Sequence, residues 1–362
     1  MRSLNCVGVL ACAIIVIWAQ QDASVQADSL GASLGASQQA DEPWPEQHKT
    51  VSALATNSQV IVTICNYGYL KWLRQWHAFI MQRKLTNYVV VALDPKLHAH
   101  LQEVIPGHVV FFEDRSDVKF ERLVSGQEVI DTKGKDSTFT RLVTNKPIIL
   151  ERFAAWGYDT FWMDADVFLL QDPFSKLDPT CDWEMQHERK PQITHMNSGV
   201  FVWRGEKKDE MISIFRRWHA ILVQTKEKYM FDQEALNHLL AKEIEHNKYV
   251  SKTPGFPGRA TFKLNSQPFT MCVLNSKVYR CGNHLPCTNE MKREIYSKRG
   301  GIQPCPLPAN WEEQKSQIVL THMNYMSYDE DKINRAKHLG LWFRGKLPMD
   351  GNITDDKFLN RI

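Results

Sequence analysis

The chain has 362 residues, with 44 Lys and Arg against 41 Asp and Glu and a formal net charge of +3. The two signs are interspersed and no block of like charge marks a phosphate-backbone footprint, which argues against nucleic acid as a partner. The length admits one large α/β unit, and Trp72, Trp76, Trp156, Trp162, Trp203 and Trp218 fall inside apolar patterns that assign them to its core.

One basic residue, Arg2, precedes an apolar run from Val7 to Ala19. That run is short for a bilayer span and suits the h-region of a signal peptide, with Val25-Gln26-Ala27 as a small-residue cleavage pattern. A short signal-anchor is the competing reading. Residues 1–27 are thus a signal peptide or short signal-anchor, and either way the bulk of the chain is translocated. Residues 28–57 are rich in Ala, Ser, Gln and Gly, a composition expected to form a flexible stem. A domain over 58–345 and a surface-bound tail over 346–362 complete the expected organisation.

Within the domain, Val60 to Ile64 is a compact β-branched run, a buried strand that Cys65-Asn66-Tyr67-Gly68 breaks. Leu70, Leu73, Trp76 and Ile80 recur at helical spacing. Tyr88 to Leu93 predicts a second buried strand closed by Asp94-Pro95, and Val109 to Phe112 a third. Strands alternating with helices point to parallel βαβ units. No G-x-G-x-x-G follows the first strand and there is no G-K-[ST] loop, so a nucleotide would be held some other way.

Thr140 to Trp156 carries a helical pattern, with Pro147 kinking it or starting its second half and Gly157 ending it. The run Thr160 to Met163 suits a buried strand, and Asp164-Ala165-Asp166 follows it. In an extended chain residues i and i+2 share a face, so both carboxylates can converge just past the strand's C-terminal end, where open α/β sheets bind ligands. Two carboxylates on one spot repel unless a cation lies between them; a hard divalent ion shared with phosphate oxygens suits that position. Asn197-Ser198-Gly199 leads into a β-rich run, Val200 to Trp203, and helical patterns follow from Asp209 to Gln224 and from Asp232 through Leu240.

From Lys252 to about Asn310 the text turns to Pro, Gly, Asn and Cys and reads as long loops stapled by disulfides. Cys272, Cys281, Cys287 and Cys305 crowd there, and three pairings stay open. Their spacings are not the C-x-x-C pairs of a zinc site. Gln317 to Thr321 is a last strand delivering His322-Met323-Asn324 to a strand end, with a short helix containing Lys332 and Lys337 beyond it. The tetrapeptide Thr-His-Met-Asn occurs at 194–197 and again at 321–324. The sequon Asn352-Ile353-Thr354 is consistent with a luminal location.

Asn66, Asp94, Asp164, Asp166, Asn197 and His322 all fall at the ends of apolar strands, and the ordered set resembles a known family, the GT-A type nucleotide-sugar glycosyltransferases of family 77. The resemblance runs from about Val60 to Trp342. Its pieces are Val62 to Leu70, Val91 to Asp94, Lys146, Asp164 to Val167 with Asp172-Pro173, Asn197 to Val200, Asp232-Gln233 with Asn237, and His322 to Asn324 with Lys332. One departure is the glycine that the family places shortly after His322-Met323-Asn324, which is replaced here, with Ser327 nearby.

The resemblance implies a Rossmann-like mixed sheet flanked by helices and a UDP-sugar donor. It also implies Mn²⁺ (with Mg²⁺ as the other candidate), retention at the anomeric carbon, and a glycan or glycoprotein acceptor in the secretory lumen, chiefly the Golgi. By the same resemblance Thr63 and Asn66 line the uridine pocket, with Asp94 near the base or ribose. Asp164 and Asp166 hold the metal against the diphosphate with His322, while Lys146 lies close to the donor. Lys332 meets the diphosphate as a lid closes, and Asn324 joins the donor set. Asn197, Ser198 and Gly199 border the transferred sugar, and Asp232 and Gln233 sit nearest the reacting carbon. Asp232 also has a plain reading as a helix N-cap. Two competing functions use the same residues. A phosphohydrolase of the haloacid-dehalogenase type also ends a strand in D-x-D, but at the start of its domain. A non-catalytic luminal binding protein on the same fold has no need to keep Asp164, Asp166 and His322.

Overall fold

The computed structural model describes residues 44–112, 138–188, 195–224, 231–246, 250–251, 258–286, 306–324 and 329–350. The leader, the sequon, Cys287, Cys305 and Ser327 lie outside the described residues.

Among the described residues nine strands form one mixed sheet. Strands β1 (Gln59–Cys65), β2 (Tyr88–Ala92), β3 (Val109–Phe111) and β4 (Asp159–Met163) pair in parallel in the order β3-β2-β1-β4. After β5 (Val167–Leu169) and β6 (Trp183–His187) comes β7 (Met196–Trp203), which lies antiparallel between β4 and β6. β8 (Val250–Ser251), β9 (Arg259–Leu264) and β10 (Gln267–Val273) complete the sheet beyond β6. A second sheet of three strands joins β11 (Tyr279–Arg280), β12 (Leu320–His322) and β5.

The alternation of side chains along a strand divides the core into two layers. Ile61, Val90, Phe161, Met163, Val200 and Val202 face one side and pack with Trp72, Trp76 and the small sheet. Val60, Val62, Val89, Val91, Trp162, Phe201 and Trp203 face the other. The first layer is covered by α2 (Leu70–Gln82), with Leu73, Trp76 and Ile80 fully buried on the face the spacing predicted. The second is covered by α4 (Thr138–Ala155), α5 (Lys208–Gln224) and α6 (Asp232–His246), through Phe153, Phe215, Trp218 and Leu236. Each such buried apolar side chain contributes roughly 1.5–3 kcal/mol, so both layers are anchored many times over. Helix α4 runs through Pro147 and stops at Gly157, whose φ of 73° is a left-handed conformation that glycine adopts without a Cβ penalty.

Several segments differ from the sequence reading: the last strand, expected from Gln317, is only Leu320–His322 because Gln317 ends a helix, and four other differences bear on the core and its cysteines. Helix α1 (Pro45–Leu54) lies inside the stretch read as stem; Val51 is fully buried and Trp44 packs edge-on against Phe112, so a short amphipathic piece was diluted in a polar average. A helix that the reading passed over, α3 (Pro95–Val104), starts on Asp94 as N-cap, with Leu97 and Leu101 buried. β6, with Gln186 in it, was also missed. Finally, β9 and β10 form a hairpin inside the stretch read as loops. Its turn places Asn265 and Ser266 at φ of 50° and 66°, the left-handed pair that matches strand twist. Buried residues Ala260, Phe262 and Leu264 alternate with exposed ones, a period-two signal hidden by the surrounding Pro, Gly and Asn. The hairpin also corrects the cysteine pairing: Cys272 on β10 bonds Cys181, 91 residues away and outside the cluster. Among the described residues Cys281 is instead a buried free thiol that donates to the Glu188 carbonyl, and burial pushes it up to about 11.

Beyond β12, which α7 (Trp311–Gln317) precedes, α8 (Asp329–His338) is the helix that carries Lys332 and Lys337. The tail's first part packs inward, with Leu347 and Met349 buried and Asp350 ion-paired to Arg74. No helix among the described residues is long and apolar enough to cross a membrane.

Candidate active site

The D-x-D pair lies at the C-terminal end of β4, where the chain turns out of the nine-stranded sheet into β5 of the small one. Asp164 takes a backbone hydrogen bond to the Gly199 carbonyl on β7, and the Asp166 carbonyl accepts from Met323 beyond β12. Both sheets therefore fix the pair. Asp164, Asp166 and His322 each offer a ligand atom, and these atoms lie within 4.8 Å of one another. His322 Nε2 is 3.2 Å from Asp166 Oδ1 and 4.0 Å from Asp164 Oδ2.

Two carboxylates and an imidazole suit a divalent cation of hard or borderline character. A second observation supports the fit. A Cβ on Gly199 would stand 2.4 Å from Asp164 Oδ2 and 2.6 Å from His322 Cε1, so only glycine on β7 leaves these ligands their positions. The residues present thus fit a divalent metal.

Two lysines flank the carboxylates. Lys332 Nζ on α8 is 2.6 Å from Asp166 Oδ2. Lys146, buried on α4, is 2.9 Å from Asp232 Oδ2 and 3.4 Å from Asp164 Oδ1. Burial works against the charge on Lys146, but Asp164 and Asp232 outweigh it and hold the ammonium above its usual range. Burial raises the Asp164 carboxyl, opposed by Lys146 and His322. Burial acts on Asp166 in the same sense, yet Lys332 and His322 prevail and hold it well below the ordinary carboxylate range. The Tyr69 phenol is raised by burial and then by Asp166 and Asp329.

Behind the metal ligands is a hydrogen-bonded layer. Ser198 Oγ donates to Asp232 Oδ2 at 2.8 Å, and Gln233 Oε1 accepts from Asn197 Nδ2 at 3.0 Å and from the Ser198 amide at 3.3 Å. Asn197 Nδ2 also reaches Glu188 Oε1 at 3.1 Å. Asp232 is the first residue of α6, and its side chain reaches Lys146 and Ser198.

Thr63, Asn66 and Asp94 gather at the ends of β1 and β2. Asp94 accepts from the Tyr67 amide at 2.6 Å and from the Leu97 amide at 2.8 Å, so it ties the two strand-end loops together. Asn66 caps the turn Tyr67–Tyr69. Thr63 is fully buried, and its hydroxyl has no partner among the described residues. Asn324 accepts from the Gly282 amide at 2.6 Å. The two Thr-His-Met-Asn copies differ in environment: His195 is exposed, while His322 is 3% exposed at the ligand cluster. Sequence reasoning missed Gln186 and Glu188, which lie on or just after the unrecognised β6.

Residues 83–336 match the nucleotide-diphospho-sugar transferase family, and the chain belongs to it. It is a glycosyltransferase of the nucleotide-sugar class, on the mixed α/β sheet described above. Among curated relatives, a UDP-D-xylose:L-fucose alpha-1,3-D-xylosyltransferase of Arabidopsis thaliana is 23% identical over 291 residues, 80% of this chain and 70% of its own. Arabinosyltransferase RRA2 of the same plant is 26% identical over 140 residues, 39% of this chain and 30% of its own. The apo glycosyltransferase GlyE of Streptococcus pneumoniae superposes with a TM-score of 0.42 at 12% identity, over 84% of this chain and 62% of its own length.

Proposed function

We propose that this chain is a retaining glycosyltransferase that moves xylose, arabinose or galactose from a UDP-sugar to a glycan or glycoprotein acceptor, with Mn²⁺ in its site and Mg²⁺ as a substitute. The observation that carries the reading is the convergence of Asp164, Asp166 and His322 from two sheets, backed by Lys146, Asp232 and Gln233. A cation held by the three ligands would neutralise charge on the departing diphosphate. Lys332, on a helix whose opening residue Asp329 binds Trp72 Nε1 and Lys71, supplies a second positive group for that leaving group. Thr63, Asn66 and Asp94 frame the nucleoside end, and Asn324 borders the donor. Asn197, Ser198 and Gly199 form the floor beneath the sugar.

Asp232 is a poor nucleophile here. Its Oδ2 is engaged by a buried ammonium and a hydroxyl, which stabilise the carboxylate and lower its reactivity. The acceptor hydroxyl instead attacks from the face the diphosphate leaves, and passes its proton to the departing phosphate oxygen. Gln233, fixed through its oxygen by Asn197 and Ser198, orients sugar and acceptor. Residues 1–27 serve as a cleaved leader or type II anchor, with 346–362 as a tail after the catalytic unit. The location is the secretory lumen, chiefly the Golgi when the leader stays as a type II anchor, with secretion as the outcome if it is cleaved.

The test is UDP release by the purified protein across a panel of UDP-sugars with Mn²⁺, compared with Asp166→Ala. Release from one sugar, lost with chelator and in the variant, is expected. Mn²⁺-dependent UDP binding without turnover, with or without candidate acceptors, would favour a binding protein. Absence of any UDP binding would refute the reading.

A further inference from the structure

His322 presents one ring nitrogen to the carboxylates and the other to Gln186. The Nδ1···Oε1 distance to Gln186 is 3.2 Å. The opposite end of that amide, Nε2, donates to the backbone carbonyl of Tyr279 at 3.3 Å. A carbonyl only accepts, so flipping the amide would set oxygen against oxygen and NH₂ against the ring. Oε1 therefore stays on His322. An amide oxygen carries no hydrogen, so Nδ1 must bear one, and in the neutral ring the lone pair is left on Nε2. Nε2 is the nitrogen that faces Asp166 Oδ1 and Asp164 Oδ2.

The fold makes this arrangement stiff. Trp183 and Met185 of β6 point into the core under α4 to α6; Gln186 stands at a register irregularity of that strand against β7, and its side chain reaches the small sheet at Tyr279. Tyr279 on β11 pairs in parallel with Leu320 on β12, two residues before His322, and its phenol is tied to the Pro173 carbonyl. Gln186 is 1% exposed, so water has no room to replace it. One amide thus joins the nine-stranded sheet to the strand carrying His322 and fixes that ring's tautomer and direction.

We infer that Gln186 is a positioning residue for the metal centre, holding His322 as the Nδ1–H tautomer with Nε2 ready for a divalent cation. The inference rests on the reading of Asp164, Asp166 and His322 as a metal site. Outer partners of ligating histidines commonly change metal affinity by 10–100-fold when removed.

The experiment compares wild type with Gln186→Met, which keeps the length without an acceptor, and with Gln186→Glu, which keeps an oxygen facing Nδ1. Mn²⁺ binding is measured by electron paramagnetic resonance on the purified protein, with thermal midpoints alongside. The ¹⁵N shifts of His322 are read in chelator at alkaline pH, where no bound ion fixes the tautomer, with His322→Gln for assignment. Expected is a 10–100-fold weaker Mn²⁺ affinity in Gln186→Met, a clearly smaller loss in Gln186→Glu, whose second oxygen meets the Tyr279 carbonyl and lowers the thermal midpoint, and a protonated Nδ1 that gives way to mixed tautomers only in the Met variant. Wild-type affinity with Nδ1 still protonated in Gln186→Met would overturn the inference. So would equal losses in both variants that track a common fall in thermal midpoint, which marks a packing role alone. Failure of wild type itself to bind Mn²⁺ would remove the metal reading beneath both claims, and is seen before any variant is compared.

Discussion

Replacing Lys146 by Met tests the charge balance on which the site depends. Lys146 and Asp232 are 2.9 Å apart with side chains 5% and 9% exposed, whereas Asp164, 3.4 Å away, is 33% exposed. At an effective dielectric of about 20, the closer pair attracts by roughly 6 kcal/mol before the cost of taking both charges from water, which offsets much of it. The Asp164 contact is worth less because water screens that carboxylate on one side. Methionine fills a similar volume but leaves Asp232 buried with Ser198 as its remaining side-chain partner. The loss in folding stability is expected to be about 3–5 kcal/mol, the usual cost of stranding a buried charge. The double variant Lys146→Met/Asp232→Asn removes both charges and should recover most of that loss. Urea unfolding in chelator at pH 7.5, followed by tryptophan fluorescence, measures each. A single-variant loss under about 1 kcal/mol, or a double variant no more stable than the single, would show that the pair is not the electrostatic unit described.

Gly199→Ala should cost about 1–3 kcal/mol of stability and weaken Mn²⁺ binding, because the new Cβ would occupy space 2.4 Å from Asp164 Oδ2 and the central strand β7 cannot retreat. Turnover should fall about 100-fold, as for an ångström-scale displacement, and Mn²⁺ affinity equal to wild type would refute the argument. Glu184, raised to about 7 by burial despite the Asp178 amide and Arg204, makes the folded state bind more protons than the unfolded one between its ordinary value of 4.5 and about 7. Stability therefore falls as pH rises through that window, by up to roughly 3 kcal/mol, and Glu184→Gln should remove this fall. Denaturation from pH 4.5 to 8 checks it: the variant should gain on wild type as pH rises, and a constant difference would refute the assignment.

Much of this protein is written locally. The buried strands at Val60, Tyr88 and Thr160 follow from unbroken apolar runs, and α2 from its spacing, because each is a property of a few adjacent residues. Asp164-Ala165-Asp166 could be placed at a strand end for the same reason, and its meaning came from the order of the other motifs along the chain. What sequence left open is set by register between distant segments. Cys181 bonds Cys272 because β6 and β10 are neighbours, with the cysteines placed at that edge; the crowding of four cysteines carried no information about this. Asp232, an ordinary helix-opening residue by sequence, becomes the partner of Lys146 only when α4 and α6 close over one face of the sheet. Gln186 sits in a short strand of mixed polarity, and its contact with His322, 136 residues on, exists only because two sheets meet there. Sequence thus determined the elements and the chemistry available at their ends; the tertiary structure alone decided which ends share a site, since only the packing of sheets brings remote polar atoms within hydrogen-bond reach.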